Sequence, residues 1–193
     1  MTYRYLAIPG LPALDASDDL WNMAEVYREP YVHTKYTIAA RLQPRRICEI
    51  GVYSGIAAMC FLAACPDAQY VGIDNLSAER LRGIMVVTPA IGRLRDLKYD
   101  VVLHIADSQS HTALPDPPYD LVHVDADHSR TGAWHDVTLA WEALRLGGHL
   151  LVDNGHDRNV AAGTFDALAG LTTHLLDWEY LSEGVGSILV RKT

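Results

Sequence analysis

Short apolar runs alternate along the chain with longer segments of helical period. The apolar runs predict strands at residues 46–51, 70–74, 100–106, 119–125 and 148–153. The segments between them predict helices at about 55–65, 77–87 and 130–146, the last of which is stopped by Gly147 and Gly148. Repetition of strand, helix and strand indicates an α/β fold of Rossmann-like type, with a parallel sheet covered by helices on both faces.

The two ends of the chain differ from this pattern. Residues 17–30 and 31–43 predict two aromatic-rich helices, separated at Pro30, that precede the first strand and lie over the sheet as a lid or wall. Beyond a helix near 160–170, apolar runs at 175–181 and 186–192 flank the turn SEGVG. The short connection predicts that this final pair is an antiparallel hairpin.

Length and charge limit the function classes. A chain of 193 residues suits a single domain, with residues 1–43 as its helical lid and 44–193 as its core. The net charge of −8 argues against a nucleic-acid partner, because such a surface needs a basic face. The cluster of Arg80, Arg82, Arg93 and Arg95 is interpreted as a solvated face, with docking of an anionic substrate as the alternative.

The cysteines and the hydropathy pattern indicate the compartment. Cys48, Cys60 and Cys65 form no CxxC pair and are interpreted as small core residues in a reducing environment. An N-terminal signal and an apolar run long enough to span a bilayer are both missing from the sequence. We therefore expect a cytoplasmic protein without a membrane segment.

A glycine turn follows the first predicted strand. In CEIGVYSG, Glu49 lies inside the strand, and Gly51 and Gly55 lie in the turn that opens the next helix. The spacing differs from the G-x-G-x-x-G of dinucleotide folds and favours an adenosine compound without a pyrophosphate over NAD. A tight strand-to-helix turn that needs glycine for its own geometry is the alternative.

Acids also follow the next two strands. Asp74 could accept both hydroxyls of a ribose, and Asp107, followed by Ser108, could accept from an adenine amino group. Each acid has a structural alternative, since Asp74 could bind its own loop amides and Asp107 could cap a short turn. Three acids at successive strand ends beside a glycine turn favour a ligand site.

The segments EIGVYSG, GIDN, IADSQS, YDLVHVDADH, GGHLLVDN and EGVGSILVRK carry a family resemblance. In this order they resemble the class I S-adenosylmethionine-dependent methyltransferases, and most of all the cation-dependent O-methyltransferases of small molecules. The catechol and caffeoyl-CoA enzymes and the macrolide-sugar enzymes are of this type. The resemblance spans about residues 31–193 and implies a seven-stranded sheet of order 3-2-1-4-5-7-6 with strand 7 antiparallel. The cofactor-binding positions that it implies, together with those derived above, are Glu49, Gly51, Tyr53, Ser54, Gly55, Asp74, Asn75, Asp107, Ser108, Asp125 and Asp127.

The same resemblance implies a divalent cation, Mg²⁺ or a related ion, held by Asp125, Asp153 and Asn154. The carboxyl ends of neighbouring parallel strands lie about 5 Å apart, and carboxylate and amide oxygens suit Mg²⁺. Two adjacent acids without a cation would repel each other. The alternative is that Asp125 caps the next helix, although Asp127 and Ser129 are better placed for that role.

Two histidines are candidates for the general base. His128 stands where the catechol and caffeoyl-CoA enzymes carry lysine and where the sugar-modifying relatives carry histidine. Its ordinary pKa of about 6.5 suits proton removal near neutral pH. The alternative is a loop histidine that only begins a helix. His156, just past Asn154, is a second candidate base or a substrate contact.

These features predict an O-methyltransferase acting on a small hydroxylated molecule such as a vicinal diol, a sugar or a catechol-like natural product. His33 and Tyr36 are expected to contact the substrate, and a homodimer could complete the pocket. The alternatives are an S-adenosylmethionine-binding enzyme with metal-independent or non-methylating chemistry, a non-catalytic binding module and, less favoured, an NAD-dependent dehydrogenase. The wrong glycine spacing argues against the last of these.

Overall fold

The computed structural model describes residues 29–77, 87–172 and 176–193. The strands are β1 (Arg46–Ile50), β2 (Gln69–Asp74), β3 (Asp100–Ile105), β4 (Tyr119–Val124), β5 (Leu144–Asp153), β6 (Asp177–Leu181) and β7 (Ser187–Arg191). The helices are α1 (Glu29–Leu42), α2 (Ile56–Ala64), α3 (Val87–Asp96), α4 (Arg130–Ala143) and α5 (Arg158–Leu171). A short 3₁₀ turn at Ser108–Ser110 follows β3.

All seven strands form one sheet in the order β3-β2-β1-β4-β5-β7-β6. Strands β1 to β5 are parallel, whereas β7 pairs antiparallel with both β5 and β6. The predicted α/β architecture, strand order and terminal hairpin are all confirmed.

The middle of the sheet is buried on both faces, because helices cover each face. Successive strand residues point to opposite sides and therefore belong to different core clusters. Ile47, Leu121 and Leu151 belong to a core cluster on the face covered by α1 and α2. Their neighbours in sequence belong to a second cluster on the face covered by α4 and α5. The three cysteines are buried and free, as expected for core residues.

The end of α4 differs from the prediction. The helix stops at Ala143 and β5 begins at Leu144, so Gly147 and Gly148 lie inside the strand and do not terminate the helix. The ammonium of Lys192 donates to the carbonyl oxygens of Trp141 at 2.5 Å and Leu144 at 2.8 Å. A cation from the far end of the chain thus satisfies the helix terminus.

Helix α3 was not predicted. Its residues Val87, Ala90, Ile91 and Leu94 form a buried face of helical period, although Pro89 and Gly92 weaken the local helical signal. Arg95 is exposed, as expected of a solvated face, whereas Arg93 is partly buried.

Helix α1 confirms the second of the two predicted N-terminal helices, and Pro30 lies in its first turn, where proline is tolerated. The first N-terminal helix, with Trp21 and Tyr27, lies outside the described residues, as do most of the helix expected at 77–87 and Arg80 and Arg82. Within the described residues no helix combines the length and the apolar character that a bilayer crossing requires.

Candidate functional site

The carboxyl ends of β1 to β5 meet at one edge of the sheet, because these strands are parallel. Strand β7 begins at the same edge, where Ser187 pairs with the last residue of β5. The predicted cofactor and metal residues follow or end these strands in the spatial order Asp107, Asp74, Gly51, Asp125, Asp153.

The two predicted acids of the metal site come together with a histidine. One carboxylate oxygen of Asp125, one of Asp153 and a ring nitrogen of His123 lie within 4.8 Å of one another. Among the described residues, neither Asp153 Oδ2 nor His123 Nε2 has a hydrogen-bond partner, although both atoms are buried. Buried polar atoms normally have partners, so this arrangement can hold a further group. The sequence predicted the two acids but missed His123.

A buried lysine lies on Asp153. The ammonium of Lys35 donates to Asp153 Oδ1 at 2.5 Å and to Ser187 Oγ at 3.1 Å, and Ser187 Oγ donates to the same carboxylate oxygen at 2.8 Å. The whole Lys35 residue is only 1% exposed. Sequence reasoning missed this residue too, although its position gives a signal. On the helical period of α1, Lys35 falls in the middle of a buried face formed by Tyr31, Thr34, Ile38 and Ala39.

Helix α1 is held over this edge by the terminal hairpin. Thr34 Oγ1 donates to Glu183 Oε2 at 3.3 Å, and Gly184 lies directly against the backbone of Tyr31. An exposed ion pair joins Arg41 to Glu179 farther along the helix. The turn between β6 and β7 therefore contacts the helix that carries Lys35, whose buried face also packs against α2.

Asp125 connects the acids to the predicted base. His128 Nε2 lies 3.4 Å from Asp125 Oδ1, and the Tyr31 hydroxyl donates to Asp125 Oδ2 at 3.4 Å. Burial raises the pKa of the Asp125 carboxyl, but the His128 hydrogen bond and the nearby His123 and Lys35 lower it, and the net result lies below the ordinary value. The same hydrogen bond to Asp125 raises the pKa of His128 above its ordinary value. The half-exposed imidazole is thus well placed to take up a proton.

Glu49 belongs to a buried series of hydrogen bonds that links Tyr70 to His123. Its carboxylate accepts from the Tyr70 hydroxyl and lies 3.0 Å from His123 Nδ1. Burial raises the pKa of the Glu49 carboxyl above its ordinary value, although His123 and Tyr70 oppose the shift. These hydrogen bonds fix the ring of His123 so that its other nitrogen faces away from Glu49. A direct cofactor contact of Glu49 stays a prediction.

The glycine turn is shaped by contact with the neighbouring strand. Gly51 has a φ of 88°, and a Cβ atom built on it would lie 2.1 Å from the carbonyl oxygen of Asp125. Gly55, with a φ of 70°, is the N-cap of α2. Between them, Tyr53 has a φ of 46° and Ser54 is buried. The turn therefore requires glycine at residue 51 for its own geometry, and approach of a ligand to its backbone stays a prediction.

Asp74 holds the glycine turn in place. Its Oδ2 accepts from the backbone N–H groups of Val52 at 2.9 Å and Tyr53 at 3.0 Å, and Oδ1 accepts from that of Leu76 at 2.7 Å. Asn75 Oδ1 accepts from the Ser77 N–H at 2.8 Å. Asp74 thus binds loop amides, as its alternative role requires, and its contact with a ribose stays a prediction.

The segment after β3 is tied to α4. Asp107 caps the 3₁₀ turn by accepting from the Gln109 N–H at 3.1 Å. Gln109 Nε2 donates to Asp136 Oδ1 at 2.9 Å, and a ring nitrogen of His135 lies 3.1 Å from the Ser108 carbonyl oxygen. These contacts fix the backbone on which the predicted adenine contacts depend.

The Asp136→Asn substitution is expected to stabilise the protein above pH 6. Burial, opposed by a hydrogen bond with Ser108, raises the pKa of the Asp136 carboxyl to about 6 from 3.8. The folded state therefore holds a proton that the unfolded chain releases near pH 4, and stability falls as the pH rises from about 4 to 6. Asparagine should remove this loss and raise the free energy of unfolding at pH 7 by up to about 3 kcal/mol.

Urea unfolding of both proteins between pH 4 and pH 8 measures this effect. The difference between them should be small at pH 4 and should reach a plateau above pH 7. Asp166→Asn is the control, since it removes an exposed carboxylate paired with Arg130 and should change stability by less than about 1 kcal/mol. A difference for Asp136→Asn that does not vary with pH would contradict the prediction.

Asp127 and Ser129 organise the start of α4. Ser129 is the N-cap, with Oγ accepting from the Gly132 N–H at 3.0 Å, and Asp127 Oδ1 accepts from the Ser129 N–H at 2.8 Å. Ser129 therefore caps α4, Asp127 fixes the turn that precedes the helix, and Asp125 is left to face the acidic site. A cofactor contact of Asp127 stays a prediction.

Asn154 and His156 follow β5. Asn154 is half-buried with a φ of 55°, and its carbonyl accepts from the Asp157 N–H at 2.8 Å. His156 is exposed, and its ring centroid lies 5.8 Å from that of Tyr180. Their roles as a metal ligand and a second base stay predictions.

The two predicted substrate contacts lie on α1. His33 is exposed, and Tyr36 is partly buried against the core cluster under the helix. A third residue of the same helix, Tyr31, contacts Asp125 through its hydroxyl.

Comparison with known proteins gives one family. A family model described as "Methyltransferase domain" matches residues 48–155. This stretch runs from β1 to just beyond β5 and includes both acids of the site and His128, whereas Lys35 lies outside it. No curated protein matches the chain.

Solved structures resemble the chain along most of its length. The O-methyltransferase TomG of Streptomyces achromogenes, involved in tomaymycin synthesis and solved in complex with SAM, is 22% identical with a TM-score of 0.65, over 91% of this chain and 90% of that one. The SAH-bound methyltransferase PaMTH1 of Podospora anserina is 19% identical with a TM-score of 0.66, over 90% and 86%. A methyltransferase from Geobacter sulfurreducens is 18% identical with a TM-score of 0.65, over 93% and 92%. At these identities the likeness is one of fold.

Proposed function

The chain belongs to the family defined by this methyltransferase domain, and from that premise we propose that it transfers the methyl group of S-adenosylmethionine to a hydroxyl of a small molecule. The substrate class we propose is a vicinal diol, a sugar or a catechol-like natural product. S-adenosylmethionine, when bound, supplies a methyl group on a positively charged sulfur.

One observation carries this proposal. The backbone of Asp125 packs directly against Gly51 of the proposed cofactor turn, and its carboxylate contacts His128. The same residue thus joins the glycine turn to the acid–histidine pair. A methyl donor at the turn and a hydroxyl beside His128 would be neighbours, as in-line transfer requires.

His128 is the proposed general base. Its imidazole removes the proton of the attacking hydroxyl, because a neutral alcohol is a poor nucleophile. The Asp125 carboxylate orients the ring and stabilises the charge that the ring gains. Tyr31 in turn donates to the other oxygen of Asp125 and restrains that carboxylate.

Asp125 and Asp153 would hold a divalent cation such as Mg²⁺, with Asn154 as the third ligand expected from the sequence. The unpartnered Asp153 Oδ2 and the oxygen-rich donor set support this assignment, and His123 adds a nitrogen that widens the choice of metal. The chemistry that such a cation supplies is a positive charge that lowers the pKa of a nearby hydroxyl.

Methyl transfer without a metal is the second candidate. The observation that favours it is the Lys35 ammonium on Asp153, since it already brings a positive charge to this acid. In this variant His128 and Asp125 act as before, and the buried Asp153 serves to hold Lys35.

Acceptor screening tests the proposal. Metal-stripped protein would be incubated with S-adenosylmethionine and a panel of vicinal diols, catechols and α-hydroxy acids, with and without added Mg²⁺. We expect S-adenosylhomocysteine to form together with an acceptor that gains one methyl group by mass spectrometry. Cofactor binding in calorimetry without S-adenosylhomocysteine for any acceptor would favour non-methylating chemistry, and a lack of cofactor binding would refute the proposal.

A further inference from the structure

We propose that Lys35 is the resident cation of the acidic site and that a divalent cation binds to Asp153 only by displacing its ammonium. This inference rests on the cation site proposed above. It adds a residue that lies outside the stretch matched by the family model. It also makes a specific claim about the affinity of the site for metal.

The first argument is the enclosure of Lys35. Lysine is among the residues least often buried, because its flexible stem usually carries the charge into water. Here the stem instead turns inward from α1 and the residue is 1% exposed. Its ammonium is surrounded by Asp153 Oδ1, Ser187 Oγ and the face of the Tyr31 ring, whose centroid lies 4.7 Å away. A charge so enclosed is stable only with its partner in place.

The second argument is the charge of the pocket. Asp153 is 2% exposed, and one of its carboxylate oxygens lies within 4.8 Å of one from Asp125, whose side chain is 20% exposed. Such a pair requires a compensating cation. The nearest one in the described part of the chain is Lys35, at 2.5 Å from Asp153. The metal-free site is therefore already supplied with a counter-ion.

The third argument is that the Lys35 ammonium and a divalent cation compete for the same carboxylate. A divalent cation binds carboxylate oxygens at about 2.0–2.6 Å. An ion on Asp153 Oδ1 would then share this oxygen with the Lys35 ammonium, which lies 2.5 Å from it, and an ion on Oδ2 would bind the same carboxylate as the ammonium. Repulsion between two positive charges on one carboxylate in a buried site is strong. The unpartnered Asp153 Oδ2 gives the ion a first contact, but tight binding requires Lys35 to leave Oδ1.

Binding of Mn²⁺ tests this competition. Metal-stripped protein would be titrated with Mn²⁺ while the electron paramagnetic resonance signal of the free ion is followed. We expect Lys35→Met, which replaces the unbranched stem and removes the charge, to bind Mn²⁺ about 100-fold more tightly than the unaltered protein. Arg41→Met is the matched control, because it removes a positive charge from the exposed side of the same helix and should leave the affinity unchanged.

Two further variants locate the effect and guard against misfolding. Adding Asp153→Asn to Lys35→Met should abolish the gained affinity and restore stability, because it removes the unpaired buried acid. If Lys35→Met does not fold without metal, Ser187→Ala replaces it in the titration. This milder variant removes the hydroxyl that holds both Lys35 and Asp153 Oδ1, and we expect a several-fold gain in affinity.

Each outcome decides. Equal Mn²⁺ affinity of the unaltered protein and Lys35→Met would overturn the competition while leaving a cation site in place. A lack of Mn²⁺ binding in every variant would overturn the site and the inference together. Neither result touches methyl transfer as such, which the acceptor screen measures separately.

Discussion

His128→Ala is expected to lower kcat for methyl transfer by about 10²- to 10⁴-fold while changing the dissociation constant of S-adenosylmethionine by less than about twofold. The imidazole is the one proposed proton acceptor in contact with Asp125, at 3.4 Å. Alanine removes the acceptor and leaves the glycine turn untouched. Steady-state kinetics with the best acceptor of the screen, together with calorimetry of the cofactor, separate the two effects.

Exposure of the imidazole allows a rescue experiment. The His128 side chain is 47% exposed, so free imidazole can enter the space that alanine leaves, and it should restore part of the lost rate. His149→Ala is the control, since His149 lies in β5 four residues before Asp153 and away from the strand ends. A larger loss of kcat for His156→Ala than for His128→Ala would transfer the role of base to His156.

Gly51→Ala is expected to destabilise the protein by about 3–5 kcal/mol and to abolish cofactor binding. The added Cβ atom would lie 2.1 Å from the Asp125 carbonyl oxygen and 2.9 Å from the Cα atom of Ala126. Both are backbone atoms and cannot rotate away. The φ of 88° at Gly51 adds backbone strain, because alanine rarely adopts a positive φ. Relief requires β1 and β4 to separate at the edge where the proposed cofactor and base meet.

Urea unfolding measures the first part of this prediction and calorimetry the second. Gly170→Ala is the matched control, because Gly170 lies in α5 and an added Cβ would have, among the described residues, no contact within 4 Å outside its own helical turn. That variant should be neutral or more stable by about 0.5–1 kcal/mol. A loss below about 1 kcal/mol for Gly51→Ala would show that the two strand ends can move apart freely.

Much of the fold could be predicted because its signals are local. Most strands are short apolar runs, and successive side chains along each strand point to opposite faces of the sheet. The resemblance then supplied the strand order, which no single segment encodes. Helix α4 was predicted too long because its end is set by Lys192, nearly fifty residues away. Helix α3 was missed because Pro89 and Gly92 interrupt a face that only tertiary burial makes apparent.

The candidate site likewise contains residues that could be predicted from the sequence and residues that could not. Asp125 and Asp153 could be placed side by side, because adjacent parallel strands bring their ends together. Lys35 could not be placed there, since it lies 118 residues before Asp153 and reaches it through the tertiary packing of α1 against α2 and the terminal hairpin. His123 was concealed within an apolar strand, where it could equally have been a core residue.

Strand β7 is made after β6 but lies between β5 and β6 in the sheet. While the chain is being synthesised, β5 therefore keeps an open edge, and β6 has no sheet partner until β7 has followed it. Ser187 is the residue of β7 that pairs with Asp153, so the acid receives this partner only at that stage. A nascent chain that stops short of Ser187 has its glycine turn and its acid–histidine pair but not the strand that closes the acidic site. The order of synthesis thus completes the acidic site only after β1 to β6 have been made.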